Sequence, residues 1–292
     1  MSNTDLIIEE RPRDIGDFLV GRFLPFRKKR MVGPFIFVDH MGPATIKPGS
    51  YMDIGQHPHI GLSTLTYLFE GEIMHRDTLG TEQRVTAGSV GWMTAGRGIV
   101  HTERTPQDMR DGGTYSMHGF QIWVALPKHL EKMDPQFSYV KSEDIPSWNE
   151  NGVSFRLLAG KGFGRISPVP VYSDLFLLEI DVNRTSEFDI KDNLKGEIGI
   201  CVVEGSIDAC GQVVEKGSLL VSKEENACKL KVNENTKLLI FGGQPFEEER
   251  LIDWNFVASD KEIIQEAKKN WQEKNFEMVP GETDYIPLPV PV

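Results

Sequence analysis

The histidines of this chain are unevenly distributed, because all seven precede residue 130. His57 and His59 form an i, i+2 pair, and His101 forms another with the carboxylate Glu103. Side chains alternate between the two faces of a β-strand, so each pair directs both members to one side of a sheet. Two such pairs on facing strands would place three imidazoles and one carboxylate around a common point. This set of nitrogen and oxygen donors, without a thiolate, indicates a site for a divalent transition metal.

The elements that must position these residues are short strands. From Val32 to about Leu126, runs of β-branched and aromatic residues alternate with Gly, Asp and Asn turns, which predicts a β-sandwich or barrel. A polar stretch, residues 141–152, is interpreted as a linker, after which short strands resume. Near the end, Ser259 and Glu262 predict a capping box, followed by apolar residues at helical spacing up to Trp271. The Pro-rich segment 279–292 is predicted to be extended.

The two halves of the chain resemble each other. Glu70-Gly71 matches Glu204-Gly205, and Gly88-Ser89 matches Gly217-Ser218, which favours a duplicated β-domain. Counting from these anchors without gaps gives the second-half counterparts of the four candidate ligands. They are Lys191 and Asn193 for His57 and His59, and Leu230 and Val232 for His101 and Glu103. A metal site is therefore expected in the first half only.

Composition limits the classes of partner. The formal net charge of −11 argues against direct nucleic-acid binding, which depends largely on Lys and Arg neutralising phosphates. The short basic cluster at residues 27–30 is either a solvated loop or a contact for an anion or a partner. No apolar run is long enough for a membrane span, and the acidic N-terminus is unlike a secretory signal, so a cytoplasmic location is expected. Cys201, Cys210 and Cys228 lack zinc-site spacing and are interpreted as reduced thiols.

Longer motifs carry a family resemblance. The His-x-His pair, followed about forty residues later by Gly96-x-Gly98-x-x-His101, resembles the two signature motifs of the cupin superfamily. Within that superfamily the chain resembles pirin, through the runs MVGPFIFVDHMGPA from Met31, HPHIGLSTLTYLFEG from His57, HRDTLG from His75 and GWMTAGRGIVHTE from Gly91. The resemblance extends to the C-terminal Gly242-Gly243-Gln244-Pro245 turn and the helix after it.

The resemblance implies an all-β fold of two cupin-type (jelly-roll) β-barrels in tandem, with a C-terminal α-helix packed between or against them. The expected domains are a metal-binding barrel over residues 1–140 and a barrel without metal ligands over residues 153–292, which includes the helix and the tail. It also implies one Fe(II) per chain, bound by His57, His59, His101 and Glu103. Four protein ligands leave two positions open on an octahedral ion, and Mn, Ni, Cu or Zn could occupy the same ligand set.

Ser63 departs from the family pattern, in which a glutamate usually occupies the fourth position after the second histidine. In flavonol-cleaving cupins a glutamate near this place acts as a base. Glu103 is then the catalytic base in this chain, and flavonol turnover is expected to be weak. On this interpretation Ser63→Glu would restore a carboxylate near the metal and raise the rate or shift its pH dependence.

The other histidines and aromatic residues each have two interpretations. His40 either makes structural hydrogen bonds or lines the pocket, whereas His75 and His118 either orient the ligands or are structural. Barrel aromatic residues are more often core than substrate contacts, and Phe35 and Phe37 are the first candidates for pocket lining. His129 is expected to be exposed.

Three functions are compatible with these features. The resemblance implies an iron-dependent dioxygenase of the quercetin 2,3-dioxygenase type, which acts with dioxygen on a small aromatic flavonol or an enediol. It also allows a redox-sensing regulator that acts through a protein partner. A metal-bound stress protein without turnover is the third interpretation. The chain is expected to be a monomer.

Overall fold

Short strands dominate the computed structural model, which describes residues 6–15, 18–110, 112–190, 193–209, 211–223 and 229–289. The strands of the first half are β1 (Leu6–Glu9), β2 (Arg11–Asp14), β3 (Leu19–Leu24), β4 (Phe35–Ile46), β5 (Asp53–His59), β6 (Leu62–Glu70), β7 (Glu72–Asp77), β8 (Glu82–Thr86), β9 (Val90–Thr94), β10 (Ile99–Arg104), β11 (Tyr115–Ala125) and β12 (Gln136–Val140). A short helix α1 (Gln107–Arg110) and a 3-10 helix (Lys128–Leu130) interrupt them.

The second half of the chain also consists mainly of short strands. Its strands are β13 (Ser147–Glu150), β14 (Val153–Gly162), β15 (Arg165–Ile166), β16 (Leu175–Val182), β17 (Ser186–Asp189), β18 (Glu197–Glu204), β19 (Ser206–Ala209), β20 (Gln212–Glu215), β21 (Ser218–Lys223), β22 (Lys229–Val232), β23 (Thr236–Gly243), β24 (Leu251–Asp253) and β25 (Phe256–Ala258). A 3-10 helix (Ser142–Asp144) precedes β13, and helix α2 (Lys261–Gln272) follows β25.

The chain forms two compact units. The first unit contains the described residues of Met1–Pro12, Gly21–Asp39 and Val140–Phe246, and the second contains those of Arg13–Val20, His40–Tyr139 and Glu247–Val292. This division differs from the predicted domains 1–140 and 153–292, because an early segment joins the later barrel and the C-terminal segment joins the earlier one. Phe35, for example, packs on Phe241 within the first unit, with ring centroids 5.0 Å apart.

The two units share one topology, which confirms the predicted duplication. The second unit has a four-stranded sheet in the order β5-β10-β7-β8 and a larger sheet that contains β9-β6-β11-β4. The first unit has the matching orders β17-β22-β19-β20 and β21-β18-β23-β16. The matched glycines Gly71 and Gly205, with φ of 89° and 73°, form equivalent turns in the left-handed region that favours glycine.

The strand pairs correct the ungapped count of equivalent residues. Glu103 lies opposite His75 on β7, and Leu230 lies opposite Ala209 on the matching strand β19. Because His75 and Ala209 are equally distant from the matched Glu-Gly turns, Leu230 occupies the position of Glu103, not that of His101. The counterpart predicted for His57, Lys191, lies outside the described residues. A cluster of buried apolar side chains, which includes Leu230 and Val232, forms the core of the first unit.

The C-terminal helix belongs to the second unit. Ile264, Ala267 and Trp271 form the buried face of α2 and pack with Phe256 and Ala258 of β25. The N-cap is Asp260, whose side chain accepts a hydrogen bond from the Glu262 amide, and not the predicted Ser259. Ser259 instead donates its amide and its hydroxyl to the Glu131 carboxylate.

The stretch predicted as a linker, residues 141–152, contains strand β13, which pairs with β14. Trp148 of β13 stacks on Phe155 of β14, with ring centroids 4.9 Å apart. Cys201 is a buried free thiol, whereas Cys210 and Cys228 lie outside the described residues. Across the described ranges, no helix has the length and apolar character needed to cross a bilayer.

Candidate metal centre

Strands β5 and β10 position three histidines side by side in the second unit. The strands are antiparallel, and His57 lies directly opposite His101. The ring centroid of His101 is 4.2 Å from that of His57 and 5.1 Å from that of His59. The Gly-rich turn before β10 is tightly packed, since a side chain at Gly96 would collide with the Met133 carbonyl. The His57-x-His59 pair and His101 therefore lie next to each other, as strand alternation predicted.

The three imidazoles could hold a metal ion. One ring nitrogen from each of His57, His59 and His101 lies within 4.8 Å of the others, and all three residues are buried. The Nδ1 atoms of His57 and His59 donate to the carbonyls of Gly55 and Asn255, at 2.8 Å and 3.1 Å. These bonds leave both Nε2 atoms without a hydrogen, so each carries a lone pair that can bind a metal.

The burial and hydrogen bonding of the three histidines are more consistent with a metal site than with a purely structural role. The Nε2 atoms of His59 and His101 are buried and have no hydrogen-bond partner within the described part of the chain. A buried polar atom without a partner costs free energy, which a metal bond would recover. Burial, followed by the charges of neighbouring histidines, lowers the pKa of His59 and His101 well below the ordinary value, and that of His57 falls to about 4. All three rings are therefore neutral near pH 7, the form that binds metals.

Glu103 lies on the same strand as His101 but makes a different set of contacts. Its carboxylate accepts a hydrogen bond from the Thr66 hydroxyl at 3.0 Å, and the residue is buried. Burial raises the pKa of Glu103, although the nearby His75 and the Thr66 hydrogen bond oppose this effect. The group of ligand atoms within 4.8 Å contains the three histidines without Glu103. The structure thus brings together three of the four predicted ligands, and Glu103 as the fourth ligand stays a prediction.

Ser63 lies on the other face of β6 from the residue that contacts Glu103. Its hydroxyl is hydrogen-bonded to the Thr94 hydroxyl at 3.0 Å. Ser63 and Thr66 are three residues apart, so strand alternation directs their side chains to opposite faces. The structure therefore does not direct Ser63 toward Glu103, and Thr66 makes that contact instead.

The other candidate residues are distributed over the fold. His75 contacts the cluster, with its Nδ1 3.4 Å from Nδ1 of His101. His40 and His118 form a buried pair of their own, with their Nε2 atoms 3.0 Å apart. Phe35 and Phe37 belong to the first unit, and their expected role as pocket lining stays a prediction. His129 is exposed, as predicted.

Several residues at the centre were missed by the sequence interpretation. Asp77 accepts a hydrogen bond from His75 Nε2 at 3.1 Å, and Trp123 packs edge-on against His59 with centroids 4.9 Å apart. His75 and Asp77 are themselves an i, i+2 pair, so the rule that found His57 and His59 could have found them. No local signal indicates Asn255, which acts through its backbone carbonyl and lies 196 residues from His59.

Comparison with known proteins agrees with this geometry. The Pirin family model matches residues 18–124, and the Pirin C-terminal cupin domain model matches residues 177–277. A "Pirin-like protein" of Caulobacter vibrioides is 40% identical over 291 residues, which cover 98% of this chain and 99% of that protein.

Solved structures with the same fold are also known. A quercetin 2,3-dioxygenase from Acinetobacter baumannii superposes with a TM-score of 0.90 at 34% identity, covering 98% of this chain and 95% of that one. A bacterial pirin from Escherichia coli in complex with nickel(II) shares the fold, with a TM-score of 0.66 at 19% identity over 82% of this chain and 99% of that one. With two matching family models and a relative of 40% identity along almost its entire length, the chain belongs to the pirin family of bicupins.

Proposed function

We propose that this protein is a metal-dependent dioxygenase of the quercetin 2,3-dioxygenase type, with one Fe(II) in the second unit. The observation that supports this most directly is the buried group of three neutral imidazoles, two of which have an Nε2 atom without a partner among the described residues. The similarity to a quercetin 2,3-dioxygenase along almost the whole chain supports the reaction class. Flavonols and small enediols are the proposed substrates, with dioxygen as the second reactant.

His57, His59 and His101 would hold the ion, with Glu103 as a fourth ligand. When bound, the metal would supply Lewis acidity toward the enolate oxygen of the substrate and a route for electron density toward dioxygen. The protein's own contribution is orientation, since each imidazole is fixed through its Nδ1 atom. Burial of the three rings also keeps bulk water away from the reacting groups.

Glu103 is the proposed base for the substrate hydroxyl. Burial raises the pKa of this carboxyl, which makes it a better proton acceptor than an exposed glutamate. The Thr66 hydroxyl, 3.0 Å away, donates to one oxygen and holds the carboxylate in place. The substrate proton would then pass to the other carboxylate oxygen, and no contribution from Ser63 is needed.

The test combines metal analysis with oxygen uptake. Protein purified without oxygen should contain about one iron per chain and consume dioxygen with a flavonol or an enediol. His101→Ala should stay folded but lose the metal and the uptake, whereas the exposed control His129→Gln should keep both. Full iron occupancy in His101→Ala would contradict the site, and iron without oxygen uptake on any substrate would contradict the activity.

A redox-sensing regulator is the second candidate, and limited access to the centre favours it. His57 is the most accessible of the three imidazoles at 7% exposure, while His59 and His101 are each 0% exposed. A sensor requires only that small oxidants reach the metal. A dioxygenase needs room for an aromatic substrate as well. Stable iron, absence of turnover, and binding of a protein partner only in one oxidation state would favour this second function.

A further inference from the structure

We propose that Asp77 and His75 are positioning residues that set the tautomer of His101, so that its Nε2 presents a lone pair to the metal. This inference deepens the proposed function and depends on the same centre. It assigns a role to a second His-x-Asp pair, which lies on strand β7 beside the ligand strand β10.

The carboxylate of Asp77 is the fixed end of this chain of contacts. Asp77 is 0% exposed, and its Oδ1 accepts hydrogen bonds from the amides of Leu79 and Thr81 at 2.9 Å and 3.1 Å. Its Oδ2 lies 3.1 Å from His75 Nε2. Three donors thus converge on one carboxylate, which offers acceptors only. The hydrogen between Asp77 and His75 must therefore be on Nε2 of His75.

Strand alternation makes the next contact. Burial alternates along β7, which places Ile73, His75 and Asp77 on one face. Phe137 stacks on the His75 ring at 4.4 Å and fixes the ring plane. The Nε2 atom of His75 faces Asp77, so its Nδ1 atom is the one that lies 3.4 Å from Nδ1 of His101. In the proposed arrangement His101 donates in this contact, which places its hydrogen on Nδ1.

The consequence appears at the other end of the His101 ring. With Nδ1 protonated, Nε2 of neutral His101 is unprotonated, and this is the buried atom that has no partner in the described structure. His57 and His59 reach the same tautomer through backbone carbonyls, which substitution of a side chain leaves in place. His101 alone of the three is fixed through side chains, so its tautomer can be changed by substitution.

The test uses Asp77→Asn. The asparagine oxygen would keep both amide hydrogen bonds, and its NH₂ would then face His75 as a donor. His75 would have to move its hydrogen to Nδ1 and donate to His101, which would place the His101 hydrogen on Nε2. Long-range proton–nitrogen NMR of histidine-labelled apoprotein should show this change of tautomer. Titration with Ni(II) should show affinity reduced about 10- to 100-fold, the usual effect of losing such a partner.

Two matched variants distinguish positioning from general damage. His75→Gln can accept from His101 through its amide oxygen and donate to Asp77, so it should keep most of the Ni(II) affinity. His75→Phe removes both functions and should lose affinity to the same extent as Asp77→Asn. Asp208→Asn is the control, because Asp208 also accepts a turn amide, that of Gly211, but lies in the unit that lacks the histidines. Its Ni(II) affinity should equal that of the wild type.

The outcomes separate the two proposals. Failure of the wild type to bind Ni(II) would overturn the metal centre, and the NMR tautomer of His101 would still decide the positioning role. An unchanged His101 tautomer in Asp77→Asn would overturn that role, as would equal affinities for the wild type and His75→Phe. If Asp77→Asn does not fold, His75→Gln and His75→Phe test the positioning role. If His75 were purely structural, the carbonyl oxygen of glutamine would give no higher Ni(II) affinity than phenylalanine.

Discussion

Each buried imidazole makes the metal-free centre sensitive to acid. The pKa of His57 is about 4 in the folded protein and 6.5 as the ordinary value, mainly because burial penalises its charged form. Between these two values the unfolded chain binds a proton that the folded chain does not. The part of the free energy of unfolding that depends on His57 should therefore be at its maximum above about pH 6.5. It should decrease as the pH falls toward 4.

Denaturant titrations of the apoprotein at several pH values would measure this slope. His57→Gln should reduce the slope, whereas His129→Gln, at an exposed position, should leave it unchanged. Equal slopes for wild type and His57→Gln would contradict the burial of an uncharged His57.

Glu103→Gln isolates the proposed base. Glutamine keeps the Thr66 hydrogen bond but cannot accept the substrate proton. At equal iron content, we expect the rate constant kcat for oxygen uptake to fall about 100-fold or more, within the usual range for removal of a general base. The matched control is Thr66→Val, which should lower the rate less, because the carboxylate remains. An unchanged kcat in Glu103→Gln would assign the base elsewhere.

Ser63→Glu now has a different expected result from the one that the family pattern predicts. The Ser63 hydroxyl bonds to Thr94, on the face of β6 opposite to Thr66. A glutamate there would bury a carboxylate away from the metal and should destabilise the fold by about 1–3 kcal/mol without raising the oxygenase rate. Thermal unfolding and oxygen uptake would check both parts, and a faster enzyme would show that the carboxylate reaches the centre.

At the scale of elements, the C-terminal segment 279–289 holds the ligand strand β5. Gln56, between Gly55 and His57, accepts from the Val279 amide at 2.7 Å and donates to the Asp284 carbonyl at 2.7 Å. The Gln56 backbone carbonyl also accepts from the Ile286 amide. The strand that carries two of the three histidines is therefore anchored by residues more than 200 positions later in the chain.

Gln56→Ala would remove both side-chain bonds and leave the buried Val279 amide unpaired. This should cost about 1–3 kcal/mol of stability and speed the loss of bound Ni(II) to a chelator. Gln265→Ala, at an exposed position of α2, is the matched control and should change neither quantity. Normal metal retention in Gln56→Ala would show that β5 keeps its position without this anchor.

These elements also show how far the sequence could be interpreted. Strand periodicity predicted the meeting of His57, His59 and His101, because alternation and antiparallel pairing are local rules. It could not predict the bond from the Asn255 carbonyl to His59, since backbone groups leave no residue-type signal. The family pattern placed Ser63 at the centre, but its position in the strand directs it away. The same alternation would have selected Thr66.

At the scale of the whole molecule, duplication produced two barrels of one topology and different interiors. One has buried histidines, whereas the described interior of the other is filled by aliphatic side chains such as Leu230 and Val232. We therefore expect one metal ion per chain, measured by elemental analysis against protein concentration. Removal of His57 should abolish all of it, and a second equivalent in the wild type would require ligands outside those described.

The contribution of Asn255 to His59 has a consequence for biosynthesis. His101 is translated 154 residues before Asn255, so at 5–20 residues per second the ribosome needs roughly 8–30 s to supply the last backbone group of the centre. The nascent chain therefore exposes its histidines well before it can hold them in place. For the proposed metal centre we therefore expect insertion only after residue 255 has been synthesised, since His59 lacks this carbonyl partner in shorter nascent chains.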